Sequence, residues 1–287
     1  MNVRTRIKRA RANEMIAKIV LGACAVLSLG VALLFVGYIF SRGIGFVSLE
    51  FITEPPRRFM TEGGILPAIV GTFLLTLGTA LFTIPIGVMA GIYLAEYAPR
   101  TRRTRIIRLA IANMAGVPSV VYGLFGLALF VSVFGWGRSV LAGAATLACL
   151  TLPVIITATE EALRQIPSDL RQASLALGAT RLRTIGRVVL PAAAPGIVTG
   201  SILGLSRAAG ETAPILLTAV AFFAPIATSP MSQTMALPYH LFIMATQATK
   251  DAPQMVWGTA LVLVAGISIL NVIIATWRSN QRRKMRW

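Results

Sequence analysis

The chain has 287 residues, 56% of them hydrophobic and only 13% charged, with a formal net charge of +17. Soluble domains carry about 25% charged residues, so this composition excludes an ordinary soluble domain and points to a polytopic membrane protein. The basic balance alone would fit a nucleic-acid partner, but the placement of the charges accounts for it without one. The cysteines, Cys24 and Cys149, and the single histidine, His240, have no spacing that builds a disulfide framework or a metal site.

Taken in order, residues 1–18 are basic, with Arg4, Arg6, Lys8, Arg9, Arg11 and Lys18. A first span is predicted over 19–40. Leu21-Gly-Ala-Cys24 faintly resembles a lipoprotein cleavage box, but apolar residues continue to Phe40, so the stretch reads as an uncleaved span. A mixed loop broken by Pro55-Pro56 follows. The second span is predicted over 66–94, with Pro85 inside it, and ends at Glu96 and a basic cluster from Arg100 to Arg108. The third covers 107–134 and contains Gly116-Val-Pro118-Ser119. The fourth covers 139–158 and leads into a polar interval, 159–191. The fifth starts at Pro191 and runs to about Ala221. A loop with an apolar patch from Leu237 to Met244, where short helices fit, separates it from the sixth span at 255–277. The fold class is all-α with six transmembrane helices. Residues 1–64 hold the basic start, the first helix and a loop; 65–277 form the core; 278–287 are a basic tail.

Charge sets the orientation. Six Lys and Arg lie in the N-terminus, and five each in the 96–108 loop, the 159–191 interval and the tail. The other side holds five: Arg42, Arg57, Arg58, Arg138 and Lys250. The positive-inside rule then places both termini and the 159–191 interval in the cytoplasm.

The interval itself is patterned. Pro167 and Ser168 punctuate a helix start, Asp169 suits the first turn, and Gly178 stops the helix in the C′ position. Leu170, Ala173, Ser174 and Leu177 share one face at spacings of three and four. Thr180 can cap a second helix carrying Arg181, Arg183 and Arg187. Two readings fit: a helix lying on the lipid surface, or one that docks into a soluble partner. The small, Ala/Ser-rich face suits protein contact better.

Arg207 and Glu211 lie inside the fifth span, four residues apart and within pairing reach, with Thr212 beside them. A charge at mid-membrane costs on the order of 3 kcal/mol, so the pair points into a bundle or a cavity. Gly196, Gly200 and Gly204 fall in the same sector of about 80° and permit close helix packing. A self-satisfied pair that orients helices is one reading. An oxyanion path is the other, because guanidinium presents a fork of donors that suits an oxyanion. No lysine follows a glycine in a phosphate-cradling Gly-Lys-Ser/Thr arrangement, and no nucleophile–base set or metal cluster is evident, so no catalytic residue is assigned.

Gln172-Ala173-Ser174, then Gly178, then Val188-x-Leu190-Pro191, resembles the EAA loop of bacterial ABC importer permeases. It departs from that motif at Gln172, usually Glu, and at Val188, usually Ile. Gly71-Thr-Phe-Leu-Leu-Thr76, Gly91-Ile-Tyr-Leu-Ala-Glu96, Gly116-Val-Pro-Ser-Val-Val-Tyr-Gly123-Leu-Phe-Gly126 and Ser206-Arg-Ala-Ala-Gly-Glu-Thr-Ala-Pro214 are similar to phosphate ABC importer permeases. Gly-Glu-Thr-Ala-Pro and Ala236-Leu-Pro-Tyr-His240 look more like the PstA group than its PstC partner. The resemblance implies a type I, MetI-like core from the second span onward, with the first span an accessory. It implies coupling to ATPase subunits through Leu170, Gln172, Ala173, Ser174, Leu177 and Gly178, and a phosphate path at Arg207, Glu211 and Thr212. The implied partners are a PstC-like permease, two PstB-like subunits that bind ATP and Mg, a periplasmic PstS-like phosphate-binding protein and the lipid bilayer, with no nucleic acid. This chain would hold no cofactor. The alternatives are a sulfate or molybdate permease, an ion-coupled carrier acting alone with Glu211 as its proton site, and a membrane scaffold that reports phosphate status.

Overall fold

In chain order the protein forms α1 (Val3–Gly43), α2 (Leu49–Thr53), an antiparallel pair of two-residue strands, β1 (Pro56–Arg57) and β2 (Glu62–Gly63), then α3 (Leu66–Ile92), which continues into a π-helical turn, Tyr93–Tyr97. Next come α4 (Arg102–Ala115), α5 (Ser119–Gly126) with a π-helical extension, Leu127–Val133, α6 (Val140–Arg164), α7 (Ser168–Ala176) and α8 (Arg181–Thr184). A third π-helical turn, Ile185–Val189, leads into α9 (Leu190–Ala209), followed by α10 (Ala213–Thr218), α11 (Leu237–Gln247) and α12 (Pro253–Lys284). The computed structural model describes residues 3–57, 62–247 and 253–284. Arg58, Lys250 and Arg286, counted in the charge distribution, lie outside the described residues.

Among the described residues, five helices are long and apolar enough to cross a membrane: Asn13–Gly43, Leu66–Tyr97, Val140–Arg164, Arg181–Ala209 and Gln254–Trp277. A pair of shorter helices, Arg102–Ala115 and Ser119–Val133, bent by 98°, makes a sixth where its two arms count as one broken span. The continuous third span expected over 107–134 is therefore corrected. Pro118 disfavours helical geometry at Val117, and Gly116 caps the end of α4 with its N–H on the Asn113 carbonyl at 3.0 Å. The Tyr122 hydroxyl donates to the Met114 carbonyl at 2.9 Å, which ties the two arms together across the bend.

Two further boundaries move. The fourth span does not stop at 158; α6 runs on to Arg164, so Glu160 and Glu161 are helical and the connection to α7 is only residues 165–167. The fifth span does not begin at Pro191; the helix starts at Arg181 and passes through it. Pro191 has no N–H for the preceding turn. The chain absorbs this by widening just before it, where the Leu190 N–H reaches back five residues to the Ile185 carbonyl.

α6 is the centre of the bundle, two thirds buried along its apolar window. α3 and α9 flank it at distances only glycine allows. A Cβ at Gly91 would lie 2.5 Å from Thr159 Cβ, and one at Gly200 would lie 2.4 Å from Ala158 Cβ. Gly196 faces Ala162 and Gly204 faces Thr151 in the same way. Thr79 is fully buried and its hydroxyl bonds the Leu75 carbonyl at 2.7 Å, with the Ala144 carbonyl of α6 at 3.4 Å.

The start of α6 is held by the long loop. Ser139, Val140 and Leu141 donate their N–H groups to the Thr218, Ser232 and Pro230 carbonyls at 3.0, 3.0 and 2.9 Å. Helix N-terminal donors that would otherwise be orphaned are thus paired. α11 then packs on α12, where His240 Nδ1 lies 3.3 Å from Thr259 Oγ1. α1 stands apart: none of its apolar window is buried, and it meets α12 near its C-terminal end, through Ile39 and Gly43.

Gly200→Ala is expected to destabilise the bundle by about 1–3 kcal/mol, since overpacking forces α9 off α6. Gly30→Ala, on α1 with nothing within 4 Å, should leave stability unchanged or slightly raised. Thermal unfolding of the two detergent-purified variants checks the contrast.

Candidate functional site

At the arginine-rich end of the bundle, α7 is an exposed helix with no buried residue. Its C-terminus is a Schellman motif. The Gly178 N–H donates to the Leu175 carbonyl at 3.0 Å and the Ala179 N–H to the Ser174 carbonyl at 3.2 Å, with Gly178 at φ +80°. Thr180 caps α8, accepting the Arg183 N–H at 3.4 Å.

The helix is pinned from beneath by Arg171. Its Nη2 donates to Glu96 Oε1 at 2.7 Å and to the Leu163 carbonyl at 2.8 Å, and its Nη1 to the Ile166 carbonyl at 2.6 Å. Those carbonyls sit at the C-terminal end of α6, where a cation is favoured. The pair is largely shielded, with Arg171 24% and Glu96 9% exposed. Glu96 lies on the π-helical turn that ends α3. Arg181 adds a hydrogen bond to the Glu96 carbonyl and stacks over Tyr97. Next to this, Glu160 Oε1 takes Arg108 at 2.8 Å and Arg164 at 2.6 Å, and Arg108 also bonds the Leu94 carbonyl.

The face expected on α7 divides in two. Leu170, Ala173 and Leu177 point outward, Leu177 at 90% exposure, and Gln172 is exposed as well. Ser174 instead turns toward the bundle, its hydroxyl 2.9 Å from that of Thr184. The spacing rule missed this because Ser174 lies one position round from Ala173, on the side that Arg171 shares. The clamp itself was also missed. Its only sequence signal was Glu96, the one carboxylate ahead of five arginines over 96–108.

The second candidate lies where α9 ends. The unbroken fifth span expected to Ala221 is corrected: α9 stops at Ala209, Gly210 caps it, and α10 restarts at Ala213 with Pro214 in its first turn. Arg207 is in the last turn of α9, and Glu211 and Thr212 are in the break. Arg207 Nε lies 3.4 Å from Glu211 Oε1. Glu211 is tucked in at 18% exposure, near Thr72 and Thr76 of α3. Arg207, however, is 60% exposed. Ser206, beside it, is tied to Asn271 of α12 at 3.1 Å.

The multi-pass helical bundle thus presents one clamped, outward helix at its polar end and a charged break within a span. The chain belongs to the family described as the binding-protein-dependent transport system inner membrane component, matched over residues 87–287. It is 36% identical to the probable ABC transporter permease protein YqgI of Bacillus subtilis, covering 89% of this chain and 91% of that protein. It is 37% identical to the phosphate transport system permease protein PstA 1 of Mycobacterium tuberculosis, covering 80% and 74%. Among solved structures, the MetNI methionine ABC transporter in an inward-facing conformation matches with a TM-score of 0.60 at 19% identity, covering 78% of this chain and 96% of that one. A bacterial ABC transporter involved in alginate import matches with a TM-score of 0.62 at 13% identity, covering 97% and 100%. The fold is thus that of a type I ABC importer permease, and the sequence stands near the PstA group.

Removing Arg171 would leave Glu96 shielded and unpaired, a defect that costs roughly 3–5 kcal/mol where such pairs are buried. Arg171→Ala should therefore speed amide hydrogen exchange over residues 168–176 by about 100-fold. Leu177→Ala, which touches nothing beneath the helix, should not. Exchange mass spectrometry of the two variants decides this.

Proposed function

We propose that the chain is the permease subunit of an ATP-driven importer of inorganic phosphate in the bacterial cytoplasmic membrane, with both termini and α7 on the cytoplasmic side. The observation that carries the reading is α7, with apolar residues turned outward over a largely shielded ionic clamp. A helix left on a lipid surface has no use for a clamp of this kind. A helix that must transmit force does, because Arg171 joins it to α3 and α6 at once. Two PstB-like subunits, which bind ATP and Mg, would grip α7 of this chain and the equivalent helix of a PstC-like permease. A PstS-like protein would deliver the anion from outside. Binding and hydrolysis of ATP would rock the two permeases as rigid bodies between outward- and inward-open states.

Phosphate, rather than sulfate or molybdate, is supported by the similarity to PstA proteins across most of the chain. Arg207 suits the passing oxyanion. Its Nε faces Glu211, and its terminal nitrogens have no partner among the described residues. Glu211 would hold the guanidinium in place between anions, and Thr212 adds a hydroxyl in the same break. A proton carrier acting alone leaves α7 without a purpose.

ATP-dependent phosphate uptake in proteoliposomes tests the proposal. Uptake should require the ATPase subunits, the binding protein and the second permease together, and excess sulfate or molybdate should not compete. Uptake by this chain alone, without ATP, would overturn it. In the complete system Arg207→Ala should cut uptake by about 100-fold without loss of assembly, the scale of a lost charged hydrogen-bond pair. Gly178→Asp puts a side chain at φ +80° and a carboxylate on the docking surface; the ATPase subunits should then no longer co-purify with the permease.

A further inference from the structure

The arginine-rich end contains a cavity of about 880 Å³ that the transport reading does not use. Its walls are the end of α3 with its π-helical turn, the first turns of α4, the α6–α7 connection and the start of α8. Six arginines line it: Arg100, Arg105, Arg108, Arg164, Arg171 and Arg181. Among the described residues, two carboxylates answer them. Glu96 is taken by Arg171, and Glu160 is shared between Arg108 and Arg164. Arg181 finds a backbone carbonyl and a tyrosine ring. Arg100 and Arg105 have no carboxylate partner among the described residues. Cations gathered in one recess repel one another and raise the local potential for anions.

One wall suggests where an anion would come from. α4 has arginines on the cavity side, yet Ile106, Ile107 and Leu109 are 64%, 48% and 59% exposed. An apolar strip beside a guanidinium recess matches a phospholipid, with chains along the strip and headgroup among the arginines. Basic recesses at the cytoplasmic ends of spans recognise such headgroups.

We infer that this cavity is a binding site for a phosphate-bearing anion, seated by Arg100 and Arg105 with Arg164 and Arg181. Guanidinium forks pair with phosphate oxygens two at a time, and the recess offers several of them. Because Arg171 lines the same cavity, an occupant shares a wall with the clamp that holds α7. Occupancy stiffens α7, so the site joins the membrane composition, or the cytosolic anion, to the coupling helix. The chemistry is common to an anionic lipid headgroup and to free phosphate.

The test is thermal unfolding of the full-length chain in neutral detergent, at fixed ionic strength, titrated with phosphatidylglycerol, inorganic phosphate or phosphatidylcholine. The proposal expects a saturable rise in Tm with phosphatidylglycerol, with phosphate, or with both, and none with phosphatidylcholine. A response to phosphatidylglycerol alone assigns the lipid as source; a response to phosphate alone assigns the free anion. Arg100→Gln/Arg105→Gln should weaken half-saturation at least tenfold. Arg102→Gln/Arg103→Gln removes the same charge from α4 but outside the cavity, and should titrate like the parent. No saturable shift with either anion overturns the site. So does an equal weakening in both double variants, which would mean diffuse surface charge. The measurement requires no transport, so its outcome is separate from that of the uptake experiment.

Discussion

Everything in this bundle depends on how near α3 and α9 come to α6. Between helices in lipid there is little hydrophobic drive, and association rests on van der Waals contact and interhelical hydrogen bonds. Here the contact is made by glycine against alanine or threonine: Gly91 against Thr159, Gly200 against Ala158, Gly196 against Ala162. These approaches fix the height and azimuth of the C-terminal end of α6. That end carries Glu160 and the Leu163 carbonyl, and so determines where the connection to α7 leaves the bundle.

From there a single side chain carries the load. An exposed ion pair contributes about 0–1 kcal/mol and would not hold a helix against an external force. Arg171 is in a different regime. It is shielded, it meets a carboxylate at 9% exposure, and it also bonds the Leu163 and Ile166 carbonyls at and just beyond the end of α6. Arg171 thereby ties α7 to both α3 and α6. At the other candidate site the chain does the opposite, interrupting α9 at Gly210 and placing charge in the gap.

Much of this was legible in residues alone. The spans declared themselves by hydropathy, Gly178 by the turn it must make, and the glycines of α9 by their spacing. What failed did so for identifiable reasons. Apolar runs do not report bends, so Gly116-Val-Pro118 read as part of one continuous span rather than a 98° corner. A proline looked like a boundary at Pro191, but a π-helical turn carries the helix through it. Arg207 and Glu211 were assigned one helical face, yet the helix ends between them. The Arg171–Glu96 pair joins residues 75 apart in sequence, and no local period encodes such a contact. The EAA-like pattern pointed to the helix that became α7 and to the glycine that ends it, and left its anchorage to be found in three dimensions.

The π-helical turns have a mechanical meaning. One of them, Tyr93–Tyr97, contains the residue that Arg171 grips, and another, Ile185–Val189, packs against α7. Each π-helical turn stores one residue more than an α-turn, a surplus worth about 1.5 Å of helix length when it is drawn out. α7 is thus bolted to the bundle at two of the three places where the spans hold spare chain. A joint made this way has backlash: it can take up a mismatch of about one residue's rise before it strains the spans themselves.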